Sequence, residues 1–120
     1  MAAKPLVILY VEDNVSIRES FAELLATDER RIVTVSDGAG AREALRENDV
    51  NLLLTDINLP DGSGLELARE ALRQDPSLPV IVCSGDHLGD VARSLGPSAH
   101  ALMKPVDVDE LEALVARLAR

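Results

Sequence analysis

Glu12, Asp13, Asp56, Ser84 and Lys104 are residue types that together can handle a phosphoryl group, and each follows directly on a short apolar run. Glu12-Asp13 follows Leu6-Val-Ile-Leu-Tyr-Val11. Asp56 follows residues 51–55, Ser84 follows Val80-Ile-Val-Cys83, and Lys104-Pro105 follows Ala101-Leu-Met103. Three carboxylates brought close together repel one another strongly. A hard divalent cation relieves that repulsion, and a few carboxylates with open positions for water and phosphate suit Mg2+. A lysine and a hydroxyl facing the cation supply a point charge and a hydrogen-bond donor for phosphoryl oxygens. The inventory therefore suits phosphoryl transfer onto a carboxylate, an established class of nucleophile.

Such chemistry requires the fold to bring these groups together. The continuous apolar run at residues 6–11 predicts a strand buried on both faces. Ile17, Phe21, Leu24 and Leu25 then recur at helical spacing. Residues 31–35 are β-branched and predict a second strand. Residues 39–48 are rich in Ala, Arg, Glu and Leu and predict a helix ending at Asn48-Asp49. Residues 51–55 predict the third strand. Asp61-Gly-Ser-Gly64 breaks the chain, and Leu65, Leu67, Ala68, Ala71 and Leu72 predict a helix that exits at Pro76 and Pro79. Residues 80–84 predict the fourth strand. Residues 87–95 predict a short helix, weakened by Gly89, and residues 101–103 a minimal fifth strand. Asp107, with Glu110 three residues on, predicts a capping box, followed by a helix carrying Leu111, Leu114, Val115 and Leu118 on one face. Five β-α alternations predict a parallel sheet with helices on both faces and right-handed crossovers. In such open sheets ligands bind beyond the carboxyl ends of the strands, where the five polar residues stand.

Composition is consistent with this reading. The 120 residues fit one domain spanning 1–120, and there is no internal repeat, low-complexity tract or linker. The 47% hydrophobic fraction is ample for a core, but only 2% is aromatic, so aliphatic residues must build it. A net charge of −9 opposes direct nucleic-acid binding, which needs Lys and Arg against phosphates, and suits a cation or a basic partner surface. No apolar run approaches the ~18–20 residues of a membrane span, and the N-terminus does not read as a signal peptide. The single cysteine, Cys83, cannot form an internal disulfide, in keeping with a reducing cytoplasm.

Through Val11-Glu12-Asp13-Asn14, Leu54-Thr-Asp56-Ile-Asn-Leu-Pro60, Gly64, Val82-Cys-Ser84-Gly85 and Lys104-Pro105, over about residues 6–118, the chain resembles the receiver domain of two-component response regulators. The resemblance implies a flavodoxin-like fold with strand order 2-1-3-4-5. It implies that Asp56 attacks the phosphorus of a phosphohistidine on a histidine kinase or histidine phosphotransfer protein, giving an aspartyl phosphate. Asp13, Asp56 and the backbone carbonyl of Asn58 would ligate Mg2+, with Glu12 acting through a metal-bound water. Lys104 would pair with one phosphoryl oxygen and Ser84 with another, helped by the N–H groups of Ile57 and Gly85. Pro105 would follow a cis peptide bond. Asn58 and Asp86, both polar, occupy the positions that tune attack by water, which predicts a phosphate lifetime that is not unusually long. Beyond its own phosphorylation and slow dephosphorylation the domain would not be an enzyme. It would be cytoplasmic and a monomer or weak dimer, without direct contact to nucleic acid or membrane.

The chain departs from the family pattern at Ala101, where an aromatic residue ordinarily reports phosphorylation. His100 beside it, or the loop after Ser84, would have to serve instead. Ala101 also leaves a second reading open, a receiver-like module that signals by contact without phosphorylation. An Asp-nucleophile phosphatase would place Asp-x-Asp after the first strand, and this chain has Glu12-Asp13-Asn14 there. Several residues have simpler explanations: Cys83 as a small core hydrophobe, Gly62 and Gly64 as turn formers, His87 and His100 as surface residues too isolated for a metal site, and Asn14-Val-Ser16 as a chance glycosylation match.

Overall fold

The computed structural model describes residues 4–85 and 93–118. In chain order its elements are β1 (Leu6–Val11), α1 (Val15–Leu25), β2 (Arg30–Val35), α2 (Gly38–Glu47), β3 (Leu52–Asp56), β4 (Asn58–Leu59), β5 (Gly62–Ser63), α3 (Gly64–Gln74), β6 (Val80–Ser84), β7 (Ala99–Met103) and α4 (Val108–Leu118). Five strands form one sheet in the order β2-β1-β3-β6-β7, every pairing parallel. Counted along the main sheet alone this is the expected order 2-1-3-4-5. β4 and β5 form a separate two-stranded antiparallel hairpin.

The aliphatic strands are buried from both sides because successive side chains point to opposite faces. Leu9, Val11, Leu53, Val80 and Val82 pack with α2 and α3 through Ala41, Ala44, Leu67 and Ala68. Ile8, Tyr10, Leu52, Leu54 and Ile81 pack on the other face with Leu25 of α1 and with Leu111 and Val115 of α4. Full burial of each such side chain contributes on the order of 2 kcal/mol. The central strands β3 and β6 are buried along their whole length.

Local sequence fixes where the helices begin. Asn14 Oδ1 accepts the Ile17 N–H at the start of α1, Asp37 Oδ1 accepts from Gly40 in α2, and Ser63 Oγ accepts from Leu65 in α3. Asp107 Oδ1 accepts the Glu110 N–H, as the capping-box spacing predicts. Asn14 is thus a helix cap, which explains it without glycosylation. Each cap is worth about 1 kcal/mol.

The structure differs from the sequence reading chiefly in three places. The third strand runs one residue later and includes Asp56, because the ladder with β6 continues to the pair Asp56–Cys83. Asn51 instead ties down the strand entrance, exchanging bonds with Val7. The fifth strand begins at Ala99, two residues before the predicted start, since pairing with β6 overrides the weak strand preference of Ala and His. The Asp61–Gly64 break closes the β4–β5 hairpin and leads into α3, with Gly62 at φ +150° in the turn. Most of the predicted 87–95 helix, with Gly89 and His87, lies outside the described residues; residues 93–95 are helical.

Candidate functional site

The carboxyl edge of the main sheet gathers the predicted residues. Asp56 is the last residue of β3 and 5% exposed, and Glu12, directly after β1, is 3% exposed. Asp13 is exposed beside them. Carboxylate oxygens of Glu12, Asp13 and Asp56 lie within 4.8 Å of one another. Lys104, directly after β7, sets its Nζ 2.8 Å from Asp56 Oδ1. Ser84 ends β6, is buried, and its carbonyl accepts the Lys104 N–H at 2.8 Å. The Lys104–Pro105 peptide is cis, as expected.

The turn after β1 is tightly organised. Glu12 Oε2 accepts the Asn14 N–H at 3.0 Å, and Arg18, one turn into α1, donates from Nη1 to the Glu12 carbonyl at 2.8 Å. On the other side of Asp56, the Ile57 N–H donates to the Cys83 carbonyl at 3.1 Å and so extends the β3–β6 pairing. Gly64 donates to the Ile57 carbonyl at 2.6 Å. A Cβ on Gly64 would collide with the Asp56 carbonyl oxygen, so glycine is what allows α3 to start this close to the strand end. Asn58 opens the hairpin two residues past Asp56 and is exposed. Asp86 lies outside the described residues.

The electrostatics record the crowding of charge. Burial, offset in part by the Asn14 N–H and reinforced by Asp56 and Asp13, pushes the Glu12 carboxyl up to about 7. Burial alone would lower the Lys104 ammonium, but Asp56 and Glu12 overcome it and hold the group above its usual value. Burial followed by Asp56 pushes the Cys83 thiol up to about 12, so it remains a neutral core group. A buried carboxyl raised by its acidic neighbours, next to an exposed one, is a donor set that a divalent cation would complete, and the three residues fit Mg2+.

A measurable pH dependence follows. Between its ordinary value of 4.5 and about 7, folded Glu12 holds more proton than the unfolded chain does. Its contribution to stability therefore falls as pH rises through that window. His100, lowered by burial and by Arg117, works in the opposite sense below 6.5. Comparison with Glu12→Gln isolates the carboxyl. In Mg2+-free buffer, wild type should lose urea midpoint relative to Glu12→Gln from pH 4.5 to 7, and added Mg2+ should narrow the gap at pH 7.

Two features of the site escape sequence reasoning. A cleft of about 180 Å³ opens beside Glu12, Asp56 and Lys104, and both aromatic residues of the chain, Tyr10 and Phe21, line it with Ile17 and Val106. Their period on β1 and α1 marks them as core, which they also are. The other feature is Asp61, whose two carboxylate oxygens bind the start of α2; its place in a turn-forming run conceals that long-range contact. A larger groove of about 660 Å³ lies between α2 and α3 and contains none of the strand-end residues.

Ala101 and His100 part company in the structure. Ala101 packs against the cluster on the α2–α3 face. His100, the next residue along β7, is half-buried and within electrostatic reach of Arg117 on α4. Successive strand residues face opposite sides, so His100 cannot fill the space an aromatic at 101 would use, and it is not a free surface residue.

A sheet of this order with an acidic cluster and a lysine at its carboxyl edge is the receiver architecture. The sequence model of the response regulator receiver domain matches residues 8–116. The chain therefore belongs to the response regulator receiver domain family. It is 34% identical over 115 residues to the response regulator protein PmrA of Pseudomonas aeruginosa, covering 94% of this chain and 52% of that one. It is 34% identical over 113 residues to the DNA-binding transcriptional regulator NtrC of Escherichia coli, covering 92% of this chain and 24% of that protein. The chain thus spans about half of the first relative and a quarter of the second. A response regulator receiver protein from Pseudomonas putida superposes with a TM-score of 0.83 at 31% identity, covering 98% of this chain and 99% of that one. Chemotaxis response regulator CheY4 of Vibrio cholerae shares the fold, with a TM-score of 0.84 at 20% identity over 96% of this chain and 99% of that one. Among the described residues no helix is long and apolar enough to cross a membrane.

Proposed function

We propose that Asp56 accepts a phosphoryl group from a phosphohistidine on a histidine kinase or histidine phosphotransfer protein, in a Mg2+-dependent reaction that changes the chain's affinity for its partners. The observation that carries this reading is the buried Asp56 carboxylate, held at 2.8 Å by Lys104 and gathered with Glu12 and Asp13. An Asp56 oxygen forms the new bond to phosphorus as the phosphorus–nitrogen bond breaks, and that bond's electron pair returns to the imidazole of the donor. Asp13, Asp56 and the Asn58 carbonyl would hold Mg2+, with Glu12 reaching it through water. The bound ion supplies charge neutralisation among the carboxylates and a fixed point for phosphoryl oxygens.

The chain's own residues do the rest. Lys104 already sits against Asp56 and can move to a phosphoryl oxygen as the acyl phosphate forms. Ser84 and the N–H of Gly85 stand at the end of the neighbouring strand and offer donors to another oxygen. The Ile57 N–H, bonded to Cys83, must share or give up that bond to join them. Asn58, two residues past Asp56, would help orient the water that later cleaves the phosphate, a role the sequence also gives Asp86. The cleft lined by Tyr10, Ile17 and Phe21 gives the donor imidazole an apolar approach to Asp56. The chain works as one cytoplasmic domain, monomeric or weakly dimeric. With its −9 charge it makes no direct contact with nucleic acid.

The test is incubation with acetyl phosphate, with and without Mg2+, followed by intact mass. A gain of one phosphoryl group that requires Mg2+ and disappears in Asp56→Ala supports the reading. Ala101 leaves open the alternative of signalling by contact alone. Absence of any adduct, with acetyl phosphate or a phosphohistidine partner, would overturn the phosphoacceptor reading and favour that alternative.

A further inference from the structure

We propose that Asp61 is a positioning residue for the acidic site: by tying the hairpin after Asp56 to the N-terminus of α2, it fixes where Asn58 stands relative to Asp56. The inference rests on the phosphoacceptor reading above. Asp61 occupies the turn between β4 and β5. Its Oδ1 accepts the Gly38 N–H at 2.8 Å and its Oδ2 the Ala39 N–H at 3.0 Å. These are the first two residues of α2, whose N–H groups have no acceptor within the helix. Asp37 takes the third, from Gly40, at 2.8 Å. A carboxylate at this end also gains from the helix dipole, and the Gly38 and Ala39 N–H groups hold Asp61 below the usual carboxylate range.

The approach is close. A Cβ on Gly38 would lie 3.2 Å from Asp61 Oδ1 and 2.9 Å from Arg42 Nη1, so a side chain there would press on the contact. The hairpin has just two residue pairs, Asn58–Ser63 and Leu59–Gly62, too few to hold a shape on its own. Its base is fixed by the Gly64–Ile57 bond and by Ser63 capping α3. Its tip is fixed by Asp61. Asn58, the residue proposed to offer its carbonyl to Mg2+, lies between these two anchors.

The experiment measures Mg2+ affinity by titration calorimetry for wild type, Asp61→Ala and Asp61→Asn, with amide exchange at Gly38 and Ala39 followed by NMR. Partners that orient metal ligands from outside typically change affinity by 10-fold or more, so Asp61→Ala should weaken Mg2+ binding about tenfold and speed exchange at both amides. Asp61→Asn, whose amide oxygen can accept one of the two N–H bonds, should recover part of both. A wild type that does not bind Mg2+ would overturn the phosphoacceptor reading itself. Normal wild-type binding matched by Asp61→Ala would overturn the positioning role. So would an Asp61→Asn protein that keeps its amide protection yet binds Mg2+ no better than Asp61→Ala, since charge rather than position would then be at work.

Discussion

Lys104→Ala is expected to slow phosphoryl transfer onto Asp56 by about 10²- to 10³-fold, the usual cost of removing one group aimed at charge in a transition state. The lysine sits 2.8 Å from Asp56 Oδ1, with its side chain 40% exposed and that of Asp56 6% exposed. On the phosphoacceptor reading it would hold the nucleophile before reaction and set a cation beside the incoming phosphoryl oxygens. Because it is partly solvated, its loss should cost folding stability only about 1 kcal/mol. Phosphorylation rates with acetyl phosphate, taken beside a thermal melt, separate the two effects. A folded Lys104→Ala protein that is phosphorylated at the wild-type rate would remove Lys104 from the chemistry.

The second large effect is expected at Gly64, which touches no substrate. A Cβ there would overlap the Asp56 carbonyl oxygen and stand 2.9 Å from the Asp56 carbonyl carbon and 3.1 Å from Thr55 Oγ1. These are backbone atoms of a fully buried central strand and a hydroxyl that itself donates to the Asp56 carbonyl at 2.9 Å, so no flexible side chain can yield. Either α3 moves away or β3 distorts. Gly64→Ala should therefore lose about 3 kcal/mol, a fall in Tm on the order of 10 °C. Calorimetric melting of the variant checks this, and a Tm within a degree or two of wild type would show that the two elements part without strain. If the protein stays folded, its acidic site should still be displaced, with weaker Mg2+ binding as the sign.

Much of the fold was legible because its signals are local. Buried parallel strands read as unbroken apolar runs, as at residues 6–11 and 80–84, and caps such as Asp107 announce the helices they start. The strand-end rule then placed Glu12, Asp13, Asp56, Ser84 and Lys104 on one edge without any long-range information. What stayed hidden depends on contacts between distant segments. Ala99 and His100 join a strand only because β6 lies beside them. Asp61 belongs to a turn by composition and to the N-terminus of α2 by structure. The sequence marks Gly64 as a breaker, whereas the structure gives it the different task of admitting α3 against the end of β3. His100 looked exposed because neighbouring positions on a short, weak strand do not reveal which face each one takes.

The absence of an aromatic at Ala101 bears on how phosphorylation would be read out. Any relay through β7 must do without a ring on the α2–α3 face, and His100 on the opposite face cannot replace it. Among the described residues, contacts that lead away from the site include those of Lys104 with the Ser84 carbonyl, Arg18 with the Glu12 carbonyl, and Asp61 with α2.

The central claim is that Asp56 itself carries the phosphoryl group, and borohydride trapping tests it most directly. An aspartyl phosphate is an acyl phosphate that hydride reduces to homoserine. Protein treated with acetyl phosphate and Mg2+, then reduced and digested, should yield homoserine at position 56 by peptide sequencing in the mass spectrometer, and none when Mg2+ is withheld. Homoserine at Asp13 or elsewhere instead, or unmodified Asp56 in protein that has gained phosphate, would contradict it.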